Sequence, residues 1–118
     1  MTLFSRVYRR ALLLALLAAP PVTLAATHVV AAAPARTQSV AIKMFAFTPQ
    51  VITVPPGTTV TWTNADEDPH TVTANDKSFH SAALDEEDKF SFTFTRPGEY
   101  AYFCSLHPHM TGKVIVKG

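Results

Sequence analysis

The sequence predicts an all-β protein, an antiparallel sandwich or barrel, from three observations. Apolar and polar residues alternate with period two in several short stretches. Turn chemistry separates them at Pro55-Pro56-Gly57 and Arg96-Pro97-Gly98. No stretch carries an apolar stripe of helical period; Ser81 to Asp88 supports one helical turn at most. Period two sends one side-chain face inward and the other outward, and close-spaced strands with turn signals stack into two layers.

The first strand-like stretch runs through Val40, Ile42 and Met44, alternating with Ala41, Lys43 and Phe45. Val51-Ile52-Thr53-Val54 is rich in β-branched residues, which suit a pleated surface. Thr58 to Asn64 alternates through Val60 and Trp62. Phe90, Phe92 and Phe94 alternate with Ser91, Thr93 and Thr95. Tyr100, Tyr102 and Cys104 share one parity, Ala101 and Phe103 the other. Val114 and Val116 flank Ile115 in a last strand from Gly112 to Lys117. Trp62, the three phenylalanines, Tyr100, Tyr102 and the Val/Ile set are the expected core. No internal repeat is present, which excludes solenoids and propellers.

The 118 residues leave room for one domain, and 47% apolar against 16% charged residues is a globular composition. The net charge of +1 is uneven. Three arginines lie in the first ten residues; from Arg36 onward seven basic residues face nine acidic ones, a net −2. Nucleic-acid binding, which calls for strong basicity, is not expected.

The start of the chain reads as a secretory signal. Residues 1–10 are basic, residues 11–19 are continuously apolar but too short to span a bilayer, and Pro20-Pro21 ends any helix. Small residues follow, and cleavage after Ala25, after Ala26 or as late as Ala35 is compatible with them. An uncleaved membrane anchor is the alternative. The Arg9-Arg10 pair leaves the general and twin-arginine export routes both open. The expected division is signal 1–26, linker 27–37 and folded domain 38–118, with the mature protein in the periplasm, an oxidising compartment. A single cysteine excludes an internal disulfide and any multi-cysteine zinc or iron–sulfur site.

That cysteine lies in the segment Cys104-Ser105-Leu106-His107-Pro108-His109-Met110, a thiol, two imidazoles and a thioether within seven residues. Cys104, His107 and Met110 are three apart, in a loop that can turn them toward one point. Thiolate with imidazole suits copper, and a weak axial Met marks a blue-copper electron-transfer site. A second imidazole is required, and His70, after the Trp62 strand, is the candidate.

On these residues the sequence resembles the cupredoxins, the type 1 blue copper proteins, and among them the amicyanin and plastocyanin type. Asn64, Pro69-His70, Pro97-Gly98-Glu99-Tyr100-Ala101-Tyr102-Phe103-Cys104, His107 and Met110 follow the family pattern. The Cys-x2-His-x2-Met spacing is that of amicyanin; plastocyanin has two more residues between His and Met. The resemblance covers roughly residues 38–117. It implies a Greek-key sandwich, one copper ion, a trigonal His70, Cys104 and His107 set with axial Met110, and an electron exit at the edge of His107. It also implies an apolar docking patch that includes Pro108, and an Asn64 side chain that ties the two ligand loops together. Two positions depart from the pattern. Thr71 stands where the family usually has Asn, and its hydroxyl is expected to replace that amide only in part beside the ligands, with a change in loop rigidity and potential; Phe103 stands where plastocyanin has an exposed Tyr.

The implied function is a periplasmic carrier of single electrons between redox protein partners, a dehydrogenase, a c-type cytochrome or both, not an enzyme, acting as a monomer. Copper storage or delivery is the alternative. The acidic run Asp66-Glu67-Asp68 is expected to border the copper end and steer a basic redox partner, and Asp85-Glu86-Glu87-Asp88 to be a solvated loop. His109 is taken as a non-ligand, and His80 is given no role.

Overall fold

The computed structural model describes residues 15–31 and 33–118. The basic stretch 1–10 and the start of the apolar run lie outside the described residues. The chain divides after Ala31 into two units. Residues 15–31 carry no helix or strand. Among the described residues no helix is long and apolar enough to cross a membrane.

The second unit holds eight strands: β1 Thr37–Lys43, β2 Ala46–Thr48, β3 Val51–Val54, β4 Thr58–Asn64, β5 Thr73–Ala74, β6 Lys89–Phe94, β7 Gly98–Phe103 and β8 Thr111–Val116. They form two four-stranded sheets, β2-β1-β4-β6 and β3-β8-β7-β5. The expected all-β sandwich is the fold. Its sheets are mixed, since β1 runs parallel to β4 and β3 parallel to β8 while the other pairings are antiparallel. The reason is the connection: after β1 and its hairpin partner β2 the chain crosses to the other sheet as β3, then returns as β4.

Alternation decides what lies between the sheets. In β4 Val60 and Trp62 face inward, in β1 Val40 and Ile42, and in β8 Val114 and Val116. Trp62 is fully buried and meets Tyr102 of the opposite sheet edge-on, with ring centroids 5.4 Å apart. Phe94 is buried, while Phe90, Phe92 and Tyr100 are partly buried against the core. Each large apolar side chain so buried contributes roughly 1.5–3 kcal/mol. The Tyr100 hydroxyl donates to the Arg96 carbonyl at 2.8 Å, the corner bond of Greek-key sandwiches.

Two glycines have a physical task. Gly57 follows Pro56 with φ of +88°, the left-handed position of a proline-glycine turn. Gly112 lies opposite Tyr102, whose ring covers it so closely that a Cβ there would stand 2.5 Å from Oη and 2.8 Å from Cε2.

Two expectations change. The first alternating stretch does not continue through Met44 and Phe45. The strand ends at Lys43, and these two residues form the two-residue hairpin loop to β2, with φ of +51° and +56°. Met44 is therefore 80% exposed, not on the core face. Residues 81–88 form no helical turn; Leu84 makes a β-bridge with His70 instead.

Candidate metal centre

The end of β4, the β1–β2 hairpin loop and the end of β7 lie at one edge of the sandwich, because β1 and β4 are parallel with Ile42 opposite Asn64. Cys104 is the first residue after β7, and the chain from there to β8 is closed by its own backbone. The Cys104 amide donates to the Met110 carbonyl at 3.0 Å, the Met110 amide to the His107 carbonyl at 2.9 Å, and the His107 amide to the Cys104 carbonyl at 3.2 Å. These bonds curl seven residues into a compact loop that turns Cys104 inward and leaves Leu106, Pro108 and His109 exposed.

His70 arrives from the other side. Its amide and carbonyl exchange hydrogen bonds with Leu84 at 3.1 and 2.7 Å, which fixes its backbone. Its side chain is fully buried. His70, Cys104 and His107 each offer a ligand atom, all within 4.8 Å of one another. The Cys104 Sγ stands 3.8 Å from His70 Nδ1 and 3.7 Å from His107 Nδ1. Metal–nitrogen and metal–sulfur bonds are about 2.0–2.3 Å long, so a single ion can touch all three corners of such a triangle. Met110 is buried at the loop's end, His107 is half-buried, and the second imidazole of the loop, His109, is exposed.

Asp66 was expected only as part of a steering cluster, and its position is more specific. Its Oδ2 lies 2.9 Å from His70 Nε2. Accepting that N–H leaves the Nδ1 lone pair directed at the thiol. The same carboxylate accepts the Met44 amide at 2.8 Å and the Phe45 amide at 3.0 Å. Burial pulls the Asp66 carboxyl up, but the Phe45 and Met44 amides and His70 together outweigh it and hold the carboxyl below its usual range. Nothing in the sequence separates Asp66 from Glu67 and Asp68 except its place four residues before His70.

The tie between the two ligand segments belongs to Thr71, not Asn64. The Thr71 amide donates to Cys104 Sγ at 3.3 Å. Its hydroxyl accepts the Ser105 amide at 2.7 Å and meets the Ser105 and Thr73 hydroxyls at 2.8 and 3.0 Å. Asn64 sits at the end of β4 beneath the 65–70 loop. Its amide donates to the Asp68 and Leu84 carbonyls at 2.9 and 2.8 Å, and its oxygen accepts the Asp66 amide. Asn64 therefore ties the His70 loop to the Leu84 segment, the groups its buried side chain reaches.

Comparison with known proteins gives matches in both sequence and fold. Residues 12–116 match the family described as cupredoxin-like domain. Amicyanin of Paracoccus versutus is 38% identical over 80 residues, a match that spans 64% of this chain and 60% of that protein. Amicyanin-alpha of Methylorubrum extorquens is 34% identical over 97 residues, 78% of this chain and 82% of the relative. Among solved structures, a purple cupredoxin from Nitrosopumilus maritimus superimposes with a TM-score of 0.64 at 33% identity, over 67% of this chain and 98% of the other.

Proposed function

This chain belongs to the cupredoxin family, and on that premise we propose that it is a periplasmic type 1 blue copper protein carrying single electrons between redox partners. The observation that carries the proposal is the donor set: one thiol and two imidazole nitrogens within 4.8 Å of one another at one end of a β-sandwich, with Cys104 and His70 buried and His107 half-buried. Thiolate with imidazole and a thioether fits copper, whereas thioether is a poor ligand for structural zinc. His70, Cys104, His107 and Met110 would hold the ion. When bound, copper supplies one-electron chemistry between its Cu(I) and Cu(II) states.

The protein's part is to keep those donors still. An electron carrier gains from a site that rearranges little between oxidation states. Here Asp66 fixes the His70 ring, and the Thr71 amide donates to the sulfur, withdrawing electron density from it. Four protein donors leave no open position for a substrate, so the role is transport of electrons and not catalysis. The fully buried Cys104 and His70 likewise suit a retained cofactor better than metal delivery.

Electrons pass at the half-buried edge of His107. Leu106, Pro108 and Phe45 supply an apolar surface beside it, and Leu106 and Phe45 are 49% and 48% exposed. The partners are redox proteins, a dehydrogenase, a c-type cytochrome or both. Residues 1–26 are the export signal, with cleavage as late as residue 35 also open, residues 27–37 a linker, and residues 38–118 the electron-carrying domain.

The test is the visible and electron paramagnetic resonance spectrum with one equivalent of Cu(II), beside Cys104→Ala. An intense blue thiolate-to-copper band, lost in the variant, is expected. A pale protein with an ordinary tetragonal copper signal would overturn the reading.

A further inference from the structure

Phe45 is in an unusual place for a phenylalanine. It and Met44 occupy both central positions of a two-residue hairpin loop with positive φ, where Asn-Gly is the favoured pair and bulky residues are strained. Burial does not account for it, since nearly half of its surface is exposed. Its ring contacts do. The Phe45 ring stands edge-on to His70, with centroids 5.1 Å apart and planes at 88°, and edge-on to His107 at 5.1 Å and 89°. The two imidazoles are themselves 4.9 Å apart. The three rings form a nearly equilateral triangle with the phenylalanine as the outer vertex. Edge-to-face contact is a favoured aromatic geometry.

The strained loop is held by the carboxylate that fixes His70. Asp66 Oδ2 accepts the Phe45 amide at 3.0 Å and lies 2.9 Å from His70 Nε2. The backbone of Phe45 is thereby locked in register with the His70 ring. His107 has no such latch. Apart from its long contact with the Cys104 sulfur, its ring makes no hydrogen bond within the described residues. What orients it is packing, and the Phe45 ring spans the distance from the fixed imidazole to the free one. Strain kept at one point of a loop and aimed at a site is a mark of a functional constraint.

We propose that Phe45 is a positioning residue: latched by Asp66 in a left-handed turn, it holds the His107 ring beside His70 and so sets the donor triangle before any metal arrives. The role in metal binding rests on the copper reading above; the positioning itself does not. It is tested in the metal-free protein by NMR relaxation of the histidine rings, in the wild type, Phe45→Ala and Phe45→Tyr. The wild type and Phe45→Tyr are expected to show a His107 ring about as rigid as ordered backbone, whose order parameter is near 0.85, and Phe45→Ala one below about 0.6. His80, which is exposed and makes no ring contact with Phe45, His70 or His107, should be unchanged in all three. A His107 ring equally rigid in Phe45→Ala would overturn the proposal, as would release in Phe45→Tyr to the same degree as in Phe45→Ala. A general loss of stability would move the melting temperature without singling out His107. A wild type that fails to turn blue with copper would sink the function proposed above and leave the ring measurement decisive for Phe45.

Discussion

Replacing Thr71 by valine exchanges one hydroxyl for a methyl group and keeps the shape of the side chain. The hydroxyl it removes accepts the Ser105 amide at 2.7 Å and meets two further hydroxyls, from Ser105 and Thr73. Those two hydroxyls can rotate toward other partners. The Ser105 amide cannot, because its direction is set by the loop that follows Cys104. Leaving such a donor unmet costs about 1–3 kcal/mol. The added methyl, at a site only 6% exposed, returns a part of this, up to about 0.8 kcal/mol. From the middle of that cost range, about 2 kcal/mol, a net loss of about 1–2 kcal/mol is expected, and in a domain of this size each kcal/mol lowers the melting temperature by about 4–8 °C. Thermal unfolding of the metal-free protein followed by circular dichroism should therefore show a drop of about 4–16 °C. Thr71→Ser, which keeps the oxygen, should recover most of it. The blue band should survive in both variants, because the bond to the Cys104 sulfur comes from the Thr71 backbone. A melting temperature within about 2 °C of the wild type for Thr71→Val, well below the expected shift, would refute the claim that this hydroxyl joins the two ligand segments. So would a Thr71→Ser variant as unstable as the valine.

Two other substitutions test the core behind the site. Gly112→Ala should destabilise by about 1–3 kcal/mol or more, since the new methyl must displace the buried Tyr102 ring; urea unfolding measures it, and a neutral result would contradict the close contact. Tyr102→Phe tests the alkaline limb. Burial pushes the Tyr102 hydroxyl up to about 12, opposed weakly by the Trp62 indole, which lacks the geometry of a hydrogen bond. A folded value above the unfolded value of 10 means that stability is fully present below pH 10 and is lost as the pH rises toward 12. The loss is about 2–3 kcal/mol at the upper end, at 1.36 kcal/mol per pH unit. Denaturation midpoints between pH 9 and 12 should fall more steeply in the wild type than in Tyr102→Phe, and parallel slopes would refute the assignment.

Much of the fold is legible in the sequence because alternation is a local signal. Residues 51–54, 58–64, 89–94 and 98–103 are strands for the reason their side chains alternate or branch at Cβ. The same signal misleads at Met44 and Phe45. Their apolar character continues the pattern of β1, yet the backbone turns there, because the turn is held by Asp66, 22 and 21 residues away. Strand direction is equally invisible: parallel pairing of β1 with β4 depends on which sheet the intervening β3 joins, and no local pattern carries that.

For the site, the chemistry on offer can be read from the chain alone. One thiol, the His107 and Met110 spacing and a histidine after the Trp62 strand are composition and order, and both are written in the chain. How those groups are held follows from the packing of the two sheets and their loops. Asp66 rather than Glu67 reaches His70, Thr71 rather than Asn64 bridges to Ser105, and Phe45 stands between two imidazoles. Each of these depends on an angle or a distance of a few ångströms between segments remote in sequence. A hydrogen bond or an edge-on ring contact exists only within such limits, and only the packed sandwich brings those segments within them.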